Sequence, residues 1–276
     1  MTPMEGKKME ENKNNIALRL TVLVAFIFMV ALNALANILP INGIDTGAVS
    51  DSYPNLFAPA GVTFAIWGVI YLLLGIYTVY QLVPKDEEMR ELTRKIALPY
   101  MVTSLANGVW ILAWHYGLIP VSMLLMIVIL ISLIYISAAI FSRNLTKVQM
   151  FLVSVPFSVY FGWISVATIA NATVLFVDLG WNGFGISEAI WTAAVMAVGA
   201  LIASIIMITR RDAAYGLVFI WAYGGILLKH TSEAGFNGQH VLVVLAAAAF
   251  IALFTMLEIS IGLNRRSGMQ KRSNRR

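Results

Sequence analysis

Aromatic and amide side chains recur inside long apolar runs of this sequence, at spacings that place them on shared helix faces. Trp67 and Tyr71 are four residues apart, and Asn107 and Trp110 are three apart, so each pair lies on one face of an α-helix. Aromatic faces can stack on a flat apolar molecule, while an indole or amide group donates a hydrogen bond to it. The chemistry that these residues offer is therefore recognition by stacking.

Patterns that support catalysis or metal binding do not occur in the sequence. There is no HExxH, CxxC, GxSxG or phosphate-loop pattern, and cysteine is absent from all 276 residues. The three histidines, His115, His230 and His240, follow no metal-ligand spacing. We therefore expect no enzyme and no cofactor. We expect the histidines to lie at the membrane boundary, with proton gating or anion binding as the alternative.

The composition is that of a chain dissolved in lipid. Hydrophobic residues make up 59% of the sequence and charged residues only 12%, whereas a soluble domain carries about 25% charged residues. A membrane-spanning helix needs about 20 apolar residues. Apolar runs of about this length cover residues 17–39, 60–83, 96–116, 119–141, 149–175, 188–209, 213–229 and 240–263. We predict an all-α membrane protein, a polytopic helical bundle of about eight transmembrane helices.

The basic residues predict the orientation of these helices. All lysines and arginines except Lys229 fall on one side of the predicted spans. Cytoplasmic loops carry an excess of such residues, so both termini are predicted to lie in the cytoplasm, with the chain in the cell membrane. Because the positive charge follows this topological pattern, we expect the protein to contact the lipid bilayer and no nucleic acid.

Three motifs in the second, third and fifth spans carry a resemblance to a known family. They read Phe57-Ala-Pro-Ala-Gly-Val-Thr-Phe64-Ala-Ile-Trp67-Gly-Val-Ile-Tyr71-Leu-Leu-Leu-Gly75, then Asn107-Gly-Val-Trp110, then Trp163-Ile-Ser-Val-Ala167-Thr168-Ile-Ala-Asn171. In this order they resemble the TspO/MBR family, which comprises the tryptophan-rich sensory proteins and the translocator proteins. Three further apolar spans follow the region of resemblance.

The resemblance implies a division of the chain into four parts. These are a cytoplasmic N-terminal segment (1–16), a TspO-like five-helix unit (17–176), three additional transmembrane helices (177–263) and a basic cytoplasmic tail (264–276). In the family, the first loop lies over the ligand pocket. The corresponding segment here runs from Pro40 to Pro59, and an ordinary surface loop is the alternative.

The resemblance also implies a function. A protein of this family would be a membrane receptor or carrier that binds a flat hydrophobic ligand, tetrapyrrole-like or sterol-like, in an aromatic pocket inside the bundle. The expected ligand-binding residues are Phe64, Trp67, Tyr71, Asn107, Trp110, Trp163 and Asn171. Four of them, Trp67, Tyr71, Trp110 and Trp163, would stack on the ligand, and the two asparagines would orient it.

Alternative interpretations of the same residues stay open. Tryptophans also form belts at membrane interfaces, and we expect this for Trp114, Trp181 and Trp191, which lie near predicted outer helix ends. Buried asparagines also bond helices to one another. Pro156 should kink the fifth span, either as a hinge or as a static packing device.

The alternative functions are a small-molecule transporter or permease using all eight helices, and a partner subunit that binds no small ligand. Small residues in the last helices could also form a homodimer face.

Overall fold

The computed structural model describes residues 3–39, 41–83 and 86–273, and the side chains of residues 16–39, 41–83 and 86–263. Pro40 and the side chains of the basic tail, 264–276, lie outside the described residues, as do those of the N-terminal segment before Ile16. All regular structure in the described part of the chain is helical.

Ten α-helices follow one another along the described chain. They are α1 (Pro3–Ile38), α2 (Thr46–Asp51), α3 (Ile66–Tyr80), α4 (Glu87–His115), α5 (Ile119–Phe141), α6 (Lys147–Gln149), α7 (Val155–Asp178), α8 (Glu188–Arg210), α9 (Ala213–Thr231) and α10 (Val241–Ser273). Short 3₁₀ turns occur at Ile41–Gly43, Gly61–Ala65 and Gly183–Gly185, and the second of these runs directly into α3.

Seven helices in the described part of the chain are long and apolar enough to cross a membrane. They span Ile16–Ile38, Gly61–Tyr80, Glu87–His115, Ile119–Phe141, Lys147–Asp178, Glu188–Arg210 and Val241–Leu263. This result confirms an all-α, multi-pass membrane protein, whose outer helix faces contact lipid. The predicted span 213–229 forms α9, which has 19 residues and is about 28 Å long. It is not among the seven, because glycine, tyrosine and Lys229 lower its hydropathy.

Polar side chains cap the first turns of several helices. The side chain of Asp86 accepts a hydrogen bond from the Met89 amide at 2.8 Å, at the start of α4. The side chain of Asp212 accepts one from the Tyr215 amide at 3.1 Å, at the start of α9. Such caps satisfy amides that have no partner within the helix, so each fixes where its helix begins.

The irregularity expected at Pro156 takes the form of a π-helical turn. Residues Met150–Ser154 form this turn between α6 and α7, and the Val155 amide bonds to the Met150 carbonyl, five residues back. The Pro156 ring carries no N–H and cannot donate to the carbonyl of Leu152, so the regular α-helical pattern breaks at this point.

The chain forms two compact units. The first unit contains Met1–Thr46 and Ile66–Tyr160, and the second contains Gly47–Ala65 and Phe161–Arg276. In the first unit α4 packs against α1 and α5, and in the second α10 packs against α8 and α9. The second unit thus combines the last three long helices with the segment before α3 and most of α7.

Buried aromatic rings form the core of each unit. In the first unit Tyr77, Tyr100 and Phe157 contact one another with centroid separations of 4.7–5.5 Å. In the second unit Phe219 and Phe254 are 5.7 Å apart. These rings are fully buried, so each unit is packed internally by aromatic contacts.

Single introduced cysteines should report the topology, because the natural chain has none. Glu233→Cys, after α9, should react with a membrane-impermeant maleimide on intact cells. Asn144→Cys, before α6, and Arg211→Cys, before α9, should react only after permeabilisation, since the basic residues predict that side to be cytoplasmic. Labelling of positions 211 and 233 from the same side would show that α9 does not cross the bilayer.

Candidate functional site

Aromatic side chains of the first unit converge on Trp67. Its ring stacks on Tyr71, with 5.5 Å between centroids and 18° between planes. The ring centroid of Trp110, in α4, lies 5.9 Å from that of Trp67. The centroid of Tyr160, near the start of α7, lies 6.2 Å from it, with the planes at 62°. Trp67 is 9% exposed and Trp110 only 4%. These four rings, the Trp67 cluster, come from three helices and face the protein interior.

Trp114 extends this cluster, and its predicted place in an interfacial belt is wrong. Its ring stacks on Trp110 at 5.7 Å and 20°, and the side chain is buried. The indole N–H donates to the backbone carbonyl of Thr46 at 3.2 Å. The chain after α1 folds over the last turn of α4 and covers this indole. Trp181 lies at the surface with 36% exposure, and for it and Trp191 the belt stays a prediction.

A chain of buried hydrogen bonds adjoins the Trp67 cluster. The Asn33 amide of α1 donates to the Asn107 side-chain oxygen of α4 at 2.8 Å, and also to the carbonyl of Met29. The Asn107 amide in turn donates to the Tyr160 hydroxyl at 3.2 Å. A buried amide without partners costs several kcal/mol, so these bonds hold α1, α4 and the start of α7 together. Interhelical bonding is therefore one role that Asn107 performs.

Tyr71 differs from its neighbours because its hydroxyl is buried without a hydrogen-bond partner among the described residues. The same residue lines a groove of about 660 Å³ between α1, α3 and Leu152. Leu72 and Val79, which border this groove, are 66% and 63% exposed. Tyr71 therefore belongs to the Trp67 cluster and also lines a groove whose borders are exposed.

The remaining predicted site residues lie in the second unit. The rings of Phe64 and Trp163 meet at nearly a right angle, with centroids 6.0 Å apart and planes at 85°. Trp163 is 3% exposed and Asn171 only 2%. Asn171 follows Trp163 by eight residues along α7, or about 12 Å. The structure thus groups the predicted residues as Trp67, Tyr71, Trp110 and Asn107 in one unit and Phe64 with Trp163 in the other.

The segment between Gly47 and Pro59 is anchored within the second unit. The Leu56 amide donates to a carboxylate oxygen of Glu188 at 3.0 Å, and the Leu56 carbonyl accepts from His230 Nε2 at 2.9 Å. Lys229 forms an ion pair with Asp51. Because Nε2 faces a carbonyl oxygen, it must carry the proton. The sequence analysis did not predict these contacts, although Glu188 and Lys229, charged residues near helix ends, indicated that partners were available.

The preceding residues, 41–46, are anchored within the first unit by His115. Its Nδ1 lies 3.0 Å from the Ile41 carbonyl and its Nε2 lies 3.2 Å from the Thr46 hydroxyl. The Asn42 amide donates to the His115 carbonyl at 3.1 Å. With only 2% of its surface exposed, His115 ties the chain after α1 to the end of α4.

The described side chains do not gather into a metal site. Among them, no three His, Asp or Glu residues are grouped so that they could hold a metal ion. The rings of His230 and His240 are 5.5 Å apart, and Phe236 contacts both of them. Aromatic rings are accordingly the main recognition groups that the described structure offers.

Comparison with known protein families gives a match over most of the chain. The family model described as TSPO-like protein matches residues 19–259. The matched region begins in α1 and ends in α10, so it includes the last three long helices and all seven predicted site residues. No curated protein and no solved structure matches the chain.

Asn107→Ala should lower the free energy of unfolding by about 1–3 kcal/mol, because the Asn33 amide and the Tyr160 hydroxyl lose a buried partner. Combined with Asn33→Ala in a double-mutant cycle, it should give a coupling energy of about 1 kcal/mol. Reversible unfolding in detergent micelles measures both quantities. Ser104→Ala is the control, since the Ser104 hydroxyl bonds the Tyr100 carbonyl of its own helix. Strictly additive effects of the two asparagine substitutions would contradict the bond.

Proposed function

Because the chain belongs to the TSPO-like protein family, we propose that it is a membrane receptor or carrier that binds a flat hydrophobic ligand of the tetrapyrrole or sterol class. The observation that carries this proposal is the convergence of Trp67, Tyr71 and Trp110 inside the first unit. Stacked and tilted rings present the flat faces on which a planar ligand packs.

Tyr71 is the side chain that admits the ligand. Its ring covers one face of Trp67, so turning it aside exposes an indole face for stacking. The hydroxyl has no hydrogen-bond partner among the described residues. The movement therefore breaks one ring contact, worth about 0.5–1.5 kcal/mol, and no hydrogen bond. Since Tyr71 also lines the groove, a ligand dissolved in lipid has a route to this position.

The polar groups at the site favour an uncharged portion of the ligand. Asn107 and Tyr160 are neutral and bonded to each other, and Tyr71 adds a neutral hydroxyl. A charged group in hydrocarbon carries a large desolvation cost unless it is paired. The macrocycle of a tetrapyrrole would therefore enter the cluster, and its carboxylates would stay near the membrane boundary.

The proposal assigns binding without catalysis and without a cofactor. It includes a location in the cell membrane with both termini in the cytoplasm, which the distribution of lysine and arginine supports.

Titration of the purified protein with protoporphyrin IX tests the proposal. Quenching of tryptophan fluorescence should saturate, and Trp67→Ala should weaken the affinity at least about tenfold by removing the central ring of the cluster. Trp181→Ala removes a surface indole and should leave the affinity unchanged. Melting temperatures establish that each variant is folded. Quenching that never saturates, or an equal loss in both variants, would refute the proposal.

A further inference from the structure

Helix α9 holds the turn that leads into α3 through two hydrogen bonds within the second unit. The Ala60 amide donates to the Gly225 carbonyl at 3.0 Å. The Trp221 indole N–H donates to the Thr63 carbonyl at 2.9 Å. Amides at a helix start have no intrahelical acceptor, and the Ala60 amide just before this turn finds one in Gly225. Together with the Trp221 bond, it fixes the turn Gly61–Ala65 against α9.

Gly225 is required at this contact because the two backbones approach closely. A Cβ atom at position 225 would lie 2.0 Å from the Thr63 hydroxyl oxygen, 2.7 Å from its Cγ2 and 2.9 Å from its Cβ. Thr63 is β-branched and only 1% exposed, and rotation of its side chain would leave the Cβ clash in place. Gly224, the preceding residue, has open space at the corresponding position.

The partner of Phe64 rests on the same helix through a second glycine. A Cβ atom at Gly162 would lie 3.0 Å from the Val218 Cβ and 3.1 Å from the Tyr215 carbonyl oxygen, both of α9. Gly162 directly precedes Trp163, as Thr63 directly precedes Phe64. Helix α9 thus contacts the residue next to each member of the Phe64–Trp163 pair, whose rings are 6.0 Å apart.

We propose that α9 positions the Phe64–Trp163 pair for ligand binding, with Gly225 and Gly162 as the contact points and Trp221 as a hydrogen-bonded support. This inference rests on the proposed function and adds to it the ligand contact of Phe64 and Trp163 that the family motifs lead us to expect. It assigns a role to one of the helices that follow the five-helix region. Gly225, Gly162 and Trp221 act through the two aromatic residues and do not contact the ligand themselves.

Gly225→Ala tests the inference, with Gly224→Ala as its matched control on the same helix. The added methyl at position 225 must displace Thr63, and with it Phe64, so the affinity for protoporphyrin IX should fall about two- to tenfold. Gly224→Ala should bind as the wild type does. Adding Thr63→Ala to Gly225→Ala removes the two nearest clashing atoms and should restore part of the affinity.

Two further measurements separate positioning from folding. Trp221→Phe keeps an aromatic ring but loses the hydrogen bond to Thr63, so it should also weaken ligand binding. It provides the test if Gly225→Ala does not fold. Amide exchange of residues 60–65 should accelerate in Gly225→Ala and not in Gly224→Ala. A variant that is merely less stable would lose melting temperature but keep the affinity of its folded fraction.

The outcomes distinguish this inference from the proposed function. Wild-type binding that persists unchanged in Gly225→Ala and Trp221→Phe would overturn the inference and leave the proposed function standing. An equal loss in Gly224→Ala would overturn it as well, because that position has no contact to disturb. A wild-type protein that does not bind protoporphyrin IX would refute the proposed function. The inference that α9 positions a ligand site would then fall as well, whatever the amide exchange shows.

Discussion

Hydrocarbon supplies no hydrogen-bond partner to a buried amide, and this constraint organises the first unit. Asn33 and Asn107 lie in membrane-spanning helices, so each must find its partner inside the protein. They bond to one another, and Asn107 bonds onward to Tyr160, whose ring also contacts Trp67. The polar chain and the aromatic cluster therefore share Tyr160. Because the asparagines fix the separation of α1, α4 and the start of α7, they also fix which rings meet Trp67.

The second unit relies more on close backbone approach. Gly225 lets the turn before α3 lie against α9 at distances that a side chain would prevent, and Gly162 lets α7 lie against α9 at distances that a side chain would make tight. The same unit anchors Leu56 between Glu188 and His230. Aromatic residues of the family motifs are thus supported by side-chain hydrogen bonds in the first unit, and by glycine contacts together with the bonds of Ala60 and Trp221 in the second.

The sequence predicted the elements better than their contacts. The span 119–141 coincides with α5, because membrane thickness sets both the length and the apolar character of such a run. The spacing of Trp67 with Tyr71 predicted a shared face, and the two rings do stack. Trp114 was misplaced because its position near a helix end carries no sign that residues 41–46 fold back over it. The contact of Gly225 with Thr63 joins residues far apart in the chain, so no local sequence pattern predicts it.

The proposed function requires a planar ligand to pack against the indoles of Trp67 and Trp110. The most direct test is an experimental structure of the full-length protein in lipid nanodiscs with protoporphyrin IX bound. We predict the macrocycle in van der Waals contact with both indoles, and the Tyr71 ring turned away from Trp67. A macrocycle bound only on lipid-facing or loop surfaces, with Tyr71 still stacked on Trp67, would contradict this mode of binding.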